Sequence, residues 1–445
     1  MRTDAPDPVA QALADALLAE GDWTSESLVT AAARVLGSRR RWLPALAAHV
    51  LAECPRPPRD APRHLAGVAG AAPPFVRARE RAQRRGHPLR ARRHPVVPTR
   101  AGGSRWPTAR LDDVGDVARL LDLDVGHLDW MADVRSLQRR ARPGRLHLHG
   151  YRWLERPGRA PRLLEVPTPR LRRVQRVVLD EVLAGVPAHP AAHGFVPGRG
   201  VLSGARPHVG ADVVVSADLS SFFAAVTAGR VYRVLRALGH PEAVAHVLTG
   251  LCTHRAPVRV LAAMPPGGSD VARSALRRAL ASPHLPQGAP TSPHLANLAA
   301  HRLDVRLDSY ARACGAAYTR YADDLALSGG PDVARRAGAL LDGVRRVVHD
   351  EGYRLNEAKT RVQPRSRRQQ VTGVVVNDRP GVGRREVDAL RALLHNCVVR
   401  GPASQDREGR GQGLRAHLEG RVSWVEHVSP GRGAALRAEL DRITW

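Results

Sequence analysis

Two adjacent carboxylates interrupt an otherwise β-forming run, Tyr318-Thr319-Arg320-Tyr321-Ala322-Asp323-Asp324-Leu325-Ala326-Leu327-Ser328-Gly329-Gly330. The β-formers Tyr318, Tyr321, Leu325 and Leu327 predict two short strands, which places the acids at the tip of a tight hairpin. Neighbouring acids at a strand tip repel one another unless a cation lies between them. Hard divalent ions meet that need, because they prefer carboxylate oxygens. Taken alone, an Asp-Asp pair reads as an exposed turn with two solvated side chains, so the rest of the chain decides.

The chain is strongly basic. It has 445 residues and a formal net charge of +27, and 43% of it is hydrophobic. That apolar fraction suits a globular protein of two or three domains. An excess of positive charge on this scale points to a polyanionic partner, most commonly nucleic acid. Lys359 is the only lysine among 69 basic residues. The four cysteines (Cys54, Cys252, Cys314 and Cys397) have no Cys-x-x-Cys spacing. That argues against a zinc site and a disulfide framework and fits a reducing compartment. No apolar run of membrane-spanning length occurs, so the expected location is the cytoplasm, with no membrane partner.

Residues 1–54 read as an N-terminal helical unit. Leu13, Leu17 and Leu18 share one face, Thr24 or Ser25 can cap a second helix ending at Gly37, and a third runs from Trp42 through Val50. Residues 55–108 are rich in Pro, Gly and Arg and read as a linker or a basic arm suited to phosphate contacts. Tyr151–Leu154 and Arg162–Pro167 predict strands, and a helix starts near Pro169. A Gly-rich loop at 193–200 precedes the apolar strand 212–219, which ends in Asp218. Residues 256–284 read as an insertion or loop. Ser292 is the expected cap of a helix with Pro293 at its first position, and Val371–Asn377 predicts a further strand. A strand carrying Asp218, a helix, the Asp323-Asp324 hairpin, a helix and a strand can form a split βαβ palm. Three carboxylates converging there can hold two Mg²⁺ ions about 3.5–4 Å apart for phosphoryl transfer.

The ordered blocks resemble reverse transcriptases, and among them the bacterial retron type. These blocks are Arg162…Pro167 with Pro169-Arg170-Leu171 and Gln175; His193-Gly194-Phe195-Val196-Pro197-Gly198-Arg199; Asp218-Leu219-Ser220-Ser221-Phe222-Phe223; and Leu285 to Pro293 with Ala296-Asn297. Tyr321-Ala322-Asp323-Asp324, Asn356…Lys359-Thr360 and Val371-Thr372-Gly373 complete the set. The resemblance covers roughly residues 110–445. It implies an α+β right-hand polymerase, with fingers, a split-βαβ palm and a helical thumb, behind an N-terminal helical extension. Residues 109–377 would form fingers and palm, and 378–445 a basic helical thumb.

The resemblance also implies roles. Asp218 and Asp323 would be the principal ligands of two Mg²⁺ ions, for which Mn²⁺ could substitute, with Asp324 assisting and the Leu219 carbonyl completing the shell. Phe223 would lie under the sugar and exclude a 2′ hydroxyl. Gln287 and Gly288 would line the nucleotide pocket, and Tyr321 would pack beside the primer end. Arg162 would grip the triphosphate, with Arg156 and Arg159 as rivals. Lys359 would stand where the pyrophosphate leaves. Arginine does not readily give up a proton whereas lysine can, so Lys359 is the expected general acid.

The expected activity is RNA-directed DNA synthesis on a cognate structured noncoding RNA, from deoxynucleoside triphosphates and starting at an RNA 2′ hydroxyl. Its product would be a joined RNA–cDNA molecule. The family further implies a role in anti-phage defence beside an effector or toxin protein. Two alternatives are a defence or free-standing reverse transcriptase with different priming, and a catalytically silent RNA-binding scaffold.

Overall fold

The structure is a computed structural model. It describes residues 7–445 apart from 21, 59–61, 93–101, 103, 105, 135, 136, 139–143, 145 and 146. Two compact units emerge: Met1–Val134 with Tyr232–Gly250, and Arg135–Val231 with Leu251–Trp445. The expected fingers-and-palm segment 109–377 is therefore divided, because 109–134 and 232–250 group with the N-terminal helices.

The first unit begins with helices α1 (Pro8–Leu18), α2 (Ser25–Leu36) and α3 (Leu43–Glu53). Thr24 caps α2 by accepting from the Ser27 amide at 3.4 Å, and Gly37 ends it at φ +71°. The stretch expected as a linker corrects the reading. It holds α4 (Pro62–Ala71) and α5 (Pro73–Arg84), whose Leu65, Ala66, Ala69, Ala72 and Phe75 are buried in the same core as α1–α3. Prolines made this stretch look unstructured, yet Pro62 and Pro73 stand at helix starts, where a missing N–H costs nothing. The domain boundary at 54/55 does not hold. The arginines are on the outside: Arg77, Arg79 and Arg81 are exposed on α5. Part of the expected basic arm, 93–101, lies outside the described residues.

The second unit opens with an antiparallel hairpin, β1 (His149–Leu154) and β2 (Arg162–Pro167). Its centre is a four-stranded antiparallel sheet. The strands are β3 (Val213–Asp218), β4 (Ala317–Tyr321), β5 (Asp324–Gly329) and β6 (Arg361–Pro364), in the order β4-β5-β3-β6. The sequence reading missed β6 because its pattern is polar; it is an edge strand whose Val362 is 45% exposed. The expected strand Val371–Asn377 is instead a small hairpin, β7 (Gln370–Val371) and β8 (Val374–Val375). Thr372 and Gly373 turn it at φ 46° and 88°. Residues 256–284 are not simply a loop, since they carry helices Val258–Ala262 and Asp270–Leu280.

Ser292 does not cap the next helix; its hydroxyl donates to the Pro286 carbonyl at 2.7 Å. The thumb is three helices, Arg384–Arg400, Gly413–Val428 and Pro430–Asp441. Their Leu390, Leu394, Leu418 and Val422 join Val214 and Ala326 of the sheet in one core. This is the α+β arrangement that the resemblance implies, a split palm sheet with a helical thumb. Among the described residues no helix is long and apolar enough to cross a membrane.

The assignment of α5 to the N-terminal core predicts a stability effect. Phe75→Ala should cost about 3–5 kcal/mol in urea unfolding followed by circular dichroism, as for a fully buried ring. A loss under about 0.5 kcal/mol would match a surface linker position and contradict it.

Candidate active site

The acid hairpin is held from behind by a buried ion pair. Arg320 of β4 and Asp304 of the helix His301–Ala313 are both fully buried. Arg320 donates through Nε to Asp304 Oδ1 at 2.8 Å and through Nη2 to Oδ2 at 2.6 Å. Its Nη1 reaches Asn297 Oδ1 and the Ala322 carbonyl, each at 3.0 Å. Tyr318 adds its hydroxyl to Asp304 Oδ1 at 2.8 Å. Asn297 passes the restraint on, because its Nδ2 donates to the Gly194 carbonyl at 2.9 Å. A Cβ on Gly194 would stand 2.6 Å from the Ala322 amide, so only glycine lets this loop lie against the hairpin tip. Ala322 itself is at φ +55°, as a two-residue turn requires.

On this frame the predicted acids converge. Asp218 ends β3 directly across from Asp324 at the start of β5, and the Leu219 amide donates to the Asp323 carbonyl at 2.8 Å. Asp218 is buried and makes an ion pair with Lys359 through Oδ1. Asn356 Nδ2 reaches its Oδ2 at 3.3 Å. Burial and the Asp218 charge raise the pKa of Asp323. Asp324 is exposed at the start of β5, and partial desolvation with the charges of Asp323 and Asp218 raises its pKa to about 6.

As the side chains stand, no three His, Cys, Asp or Glu groups among the described residues encircle a metal position; the Lys359 ammonium engages Asp218 instead. The donor set nevertheless fits a hard divalent cation. Three carboxylates crowd one sheet edge, and desolvation together with their neighbours' charge raises the pKa of Asp323 and Asp324. A cleft of about 300 Å³ opens there, lined by Asp218, Tyr321, Asp324, Lys359, Arg159 and Arg361.

The remaining predicted residues stand on β2, on the short helix after β3 and on the segment that pairs with β2. Arg162, at the start of β2, lies near enough for its charge to act on Asp323, while its rival Arg159 lines the cleft. Phe223 sits in the short helix Phe222–Ala225, its ring 6.0 Å from that of Phe195 and 5.8 Å from that of Phe222. Gln287 is bound to β2 by its carbonyl, which accepts from the Glu165 amide at 2.9 Å. Gly288 follows at φ +134°. A Cβ there would come within 3.0 Å of the Glu165 carbonyl oxygen.

Sequence reading missed the brace. Its signal was Asp304, an acid on the apolar stripe of Ala300, Leu303, Leu307 and Ala311, a position that demands a buried counter-charge. His208 was missed too. Its Nδ1 is 2.7 Å from Ser328 of β5 and its Nε2 is 2.7 Å from Thr319 of β4. Thr319 gives its own proton to the Gly204 carbonyl, so it accepts from Nε2–H. Burial keeps the ring neutral, which leaves Nδ1 to accept from Ser328, and His208 joins the two strands of the acid hairpin.

A carboxylate cluster at the end of such a sheet, followed by a helical thumb, defines a nucleic-acid polymerase. The family described as reverse transcriptase (RNA-dependent DNA polymerase) matches residues 155–376. Retron Mx65 reverse transcriptase of Myxococcus xanthus is 39% identical over 349 residues, 77% of this chain and 74% of that protein. Retron Mx162 reverse transcriptase of the same organism is 37% identical over 348 residues, 75% of this chain and 67% of that protein. Retron Ec86 reverse transcriptase of Escherichia coli is 32% identical over 257 residues, 57% and 71% of the two chains. The chain belongs to the retron reverse transcriptases and is an RNA-directed DNA polymerase. Reverse transcriptase domains use divalent metal ions, typically Mg²⁺.

His208 supplies a pH test of the hairpin brace. Burial, with His193 nearby, lowers its pKa from 6.5 to about 4. A histidine kept neutral stabilises the fold above its unfolded pKa, and that stability is lost as pH falls through this window. The contribution is at most about 3 kcal/mol. Urea unfolding of wild type and His208→Gln between pH 7 and pH 4 should give curves that converge as pH falls; parallel curves would contradict a neutral, buried ring.

Proposed function

We propose that this reverse transcriptase copies a cognate structured noncoding RNA into single-stranded DNA by two-metal nucleotidyl transfer, leaving an RNA–DNA product that serves anti-phage defence. The observation that carries the site reading is the pairing of Asp218 with Asp324 across the sheet, beside Asp323, with the charge of Asp218 acting on both neighbours. Asp218 and Asp323 would hold both Mg²⁺ ions, with Asp324 and the Leu219 carbonyl assisting. The ions supply charge stabilisation for the attacking and leaving oxygens.

The chain's own residues do the rest. Phe223 lies under the deoxyribose and leaves no room for a 2′ hydroxyl, and Gln287 and Gly288 shape the pocket around sugar and base. Arg162 holds the triphosphate, and Tyr321 supports the primer end. The primer oxygen attacks the α-phosphorus, the bond to the bridging oxygen breaks, and pyrophosphate departs. Lys359 protonates that departing oxygen. Its ammonium already reaches the acid cluster through Asp218, and at 32% exposure its side chain can exchange protons with solvent. Exposed arginines such as Arg77 and Arg81 suit the phosphates and the A-form minor groove of a folded RNA.

Single-turnover extension of a primed RNA separates these roles. Asp323→Asn should lower incorporation by at least about 1,000-fold, and Lys359→Arg by about 100-fold. Full cDNA yield from Asp323→Asn would remove the metal-site reading. Unchanged incorporation by Lys359→Arg would remove the general acid.

A further inference from the structure

Strand alternation gives the β1–β2 hairpin one inward face, made of His149, Tyr151 and Trp153 from β1 and Leu163, Glu165 and Pro167 from β2. Trp153 and Leu163 pack against Ala256, Val260, Leu261 and Leu280. Next to that apolar cluster lies a polar one that the reaction chemistry does not use. Glu165 Oε2 lies 2.8 Å from His284 Nε2, and each side chain is only 1% exposed. The other ring nitrogen, Nδ1, lies 2.7 Å from the Ser282 carbonyl.

With a carboxylate on one side and a carbonyl on the other, both nitrogens of His284 must donate, so the ring is an imidazolium. Burial opposes that charge, but the Glu165 carboxylate outweighs it and the pKa of His284 is raised. Around this ion pair the neighbours are neutral. His254 Nε2 lies 2.7 Å from the Tyr151 hydroxyl, and its ring stacks on His149 at 4.0 Å. Burial holds the pKa of both His149 and His254 down.

The pair's position in the chain gives it a use. Glu165 grips the segment 284–287 at two points, His284 through its side chain and the Gln287 carbonyl through its amide at 2.9 Å. On the opposite side Leu285 donates to the Val226 carbonyl at 3.1 Å, and Ala228 donates to Pro283 at 2.9 Å. Val226 is three residues beyond Phe223, and Glu165 is three residues beyond Arg162 on the same strand. The segment leading into Gln287 and Gly288 is therefore fastened between the strand that carries Arg162 and the turn that follows Phe223.

We propose that Glu165 and His284 are a positioning pair for the incoming nucleotide, locking Pro286–Gly288 onto β2 so that the sugar-and-base pocket keeps a fixed spacing from the triphosphate-binding arginine. This rests on the assignment of Gln287, Gly288 and Arg162 to the nucleotide. Both side chains act through that segment rather than on substrate. Their loss loosens nucleotide binding while leaving the acid cluster, on a different sheet, intact.

The test is steady-state and single-turnover incorporation by the full chain on a primed RNA, for Glu165→Gln, His284→Gln, the double variant and Gln287→Ala. Glu165→Gln and His284→Gln should each raise the deoxynucleotide KM about tenfold with kcat within about twofold. The double variant should be no worse than the poorer single one, because both remove the same contact. Tyr151→Phe, which removes one oxygen from the outer part of the cluster, should raise KM less than either. Should Glu165→Gln fail to fold, the same KM split in His284→Gln decides. If Gln287→Ala raises KM while Glu165→Gln and His284→Gln leave it unchanged, the positioning pair is overturned and the pocket stands. An unchanged KM in Gln287→Ala would overturn the pocket assignment itself, and with it the proposed use of the pair.

Discussion

The ion pair between Arg320 and Asp304 is the interaction on which the active site depends. Neither side chain is accessible to water, and every donor of the guanidinium named above has an acceptor. Removing one partner of such a pair strands a charge in the interior, at a cost of about 3–5 kcal/mol. The pair also fixes geometry. One guanidinium links the helix behind the sheet, the carbonyl of the turn residue Ala322, and Asn297, which in turn holds the Gly194 loop. The turn that presents Asp323 and Asp324 therefore has little freedom. Carboxylates that repel one another would otherwise spread apart, and the brace is what keeps them close enough to need a cation.

The hairpin was readable in the sequence because its signal is local: β-formers on either side of two acids, closed by glycines. The same holds for α2, where Thr24 and Gly37 mark the ends. What failed were patterns whose meaning depends on distant partners. Pro62 and Pro73 read as breakers but begin helices, since a proline's effect depends on whether it stands at a first turn or an interior position. The polar strand β6 shows no alternation because it forms the sheet edge, and its place comes from pairing with β3. Arg320, His208 and His284 could not be told from solvated residues until the elements they join were brought together. Asp218, by contrast, was legible because an apolar strand delivering an acid at its end has few structural uses.

Lys359 shows how the two kinds of information combine. The sequence marks it as the lone lysine in an arginine-rich chain, and the fold brings it to Asp218 across the sheet edge. An ammonium paired with a carboxylate that we propose as a metal ligand gives the cluster two alternative partners. In that proposal Asp218 would hold a divalent ion and leave Lys359 free to face the departing phosphate. The same exchange keeps the acids compensated in the protein without nucleotide.

The central claim is that the braced acids form a site for two divalent ions. Its most direct test is the number of Mn²⁺ ions bound, read by electron paramagnetic resonance on the protein with primed RNA and a deoxynucleotide that cannot be extended. Wild type should bind two ions, and Asp218→Asn should lose at least one of them. Equal stoichiometry in the two proteins would contradict the account.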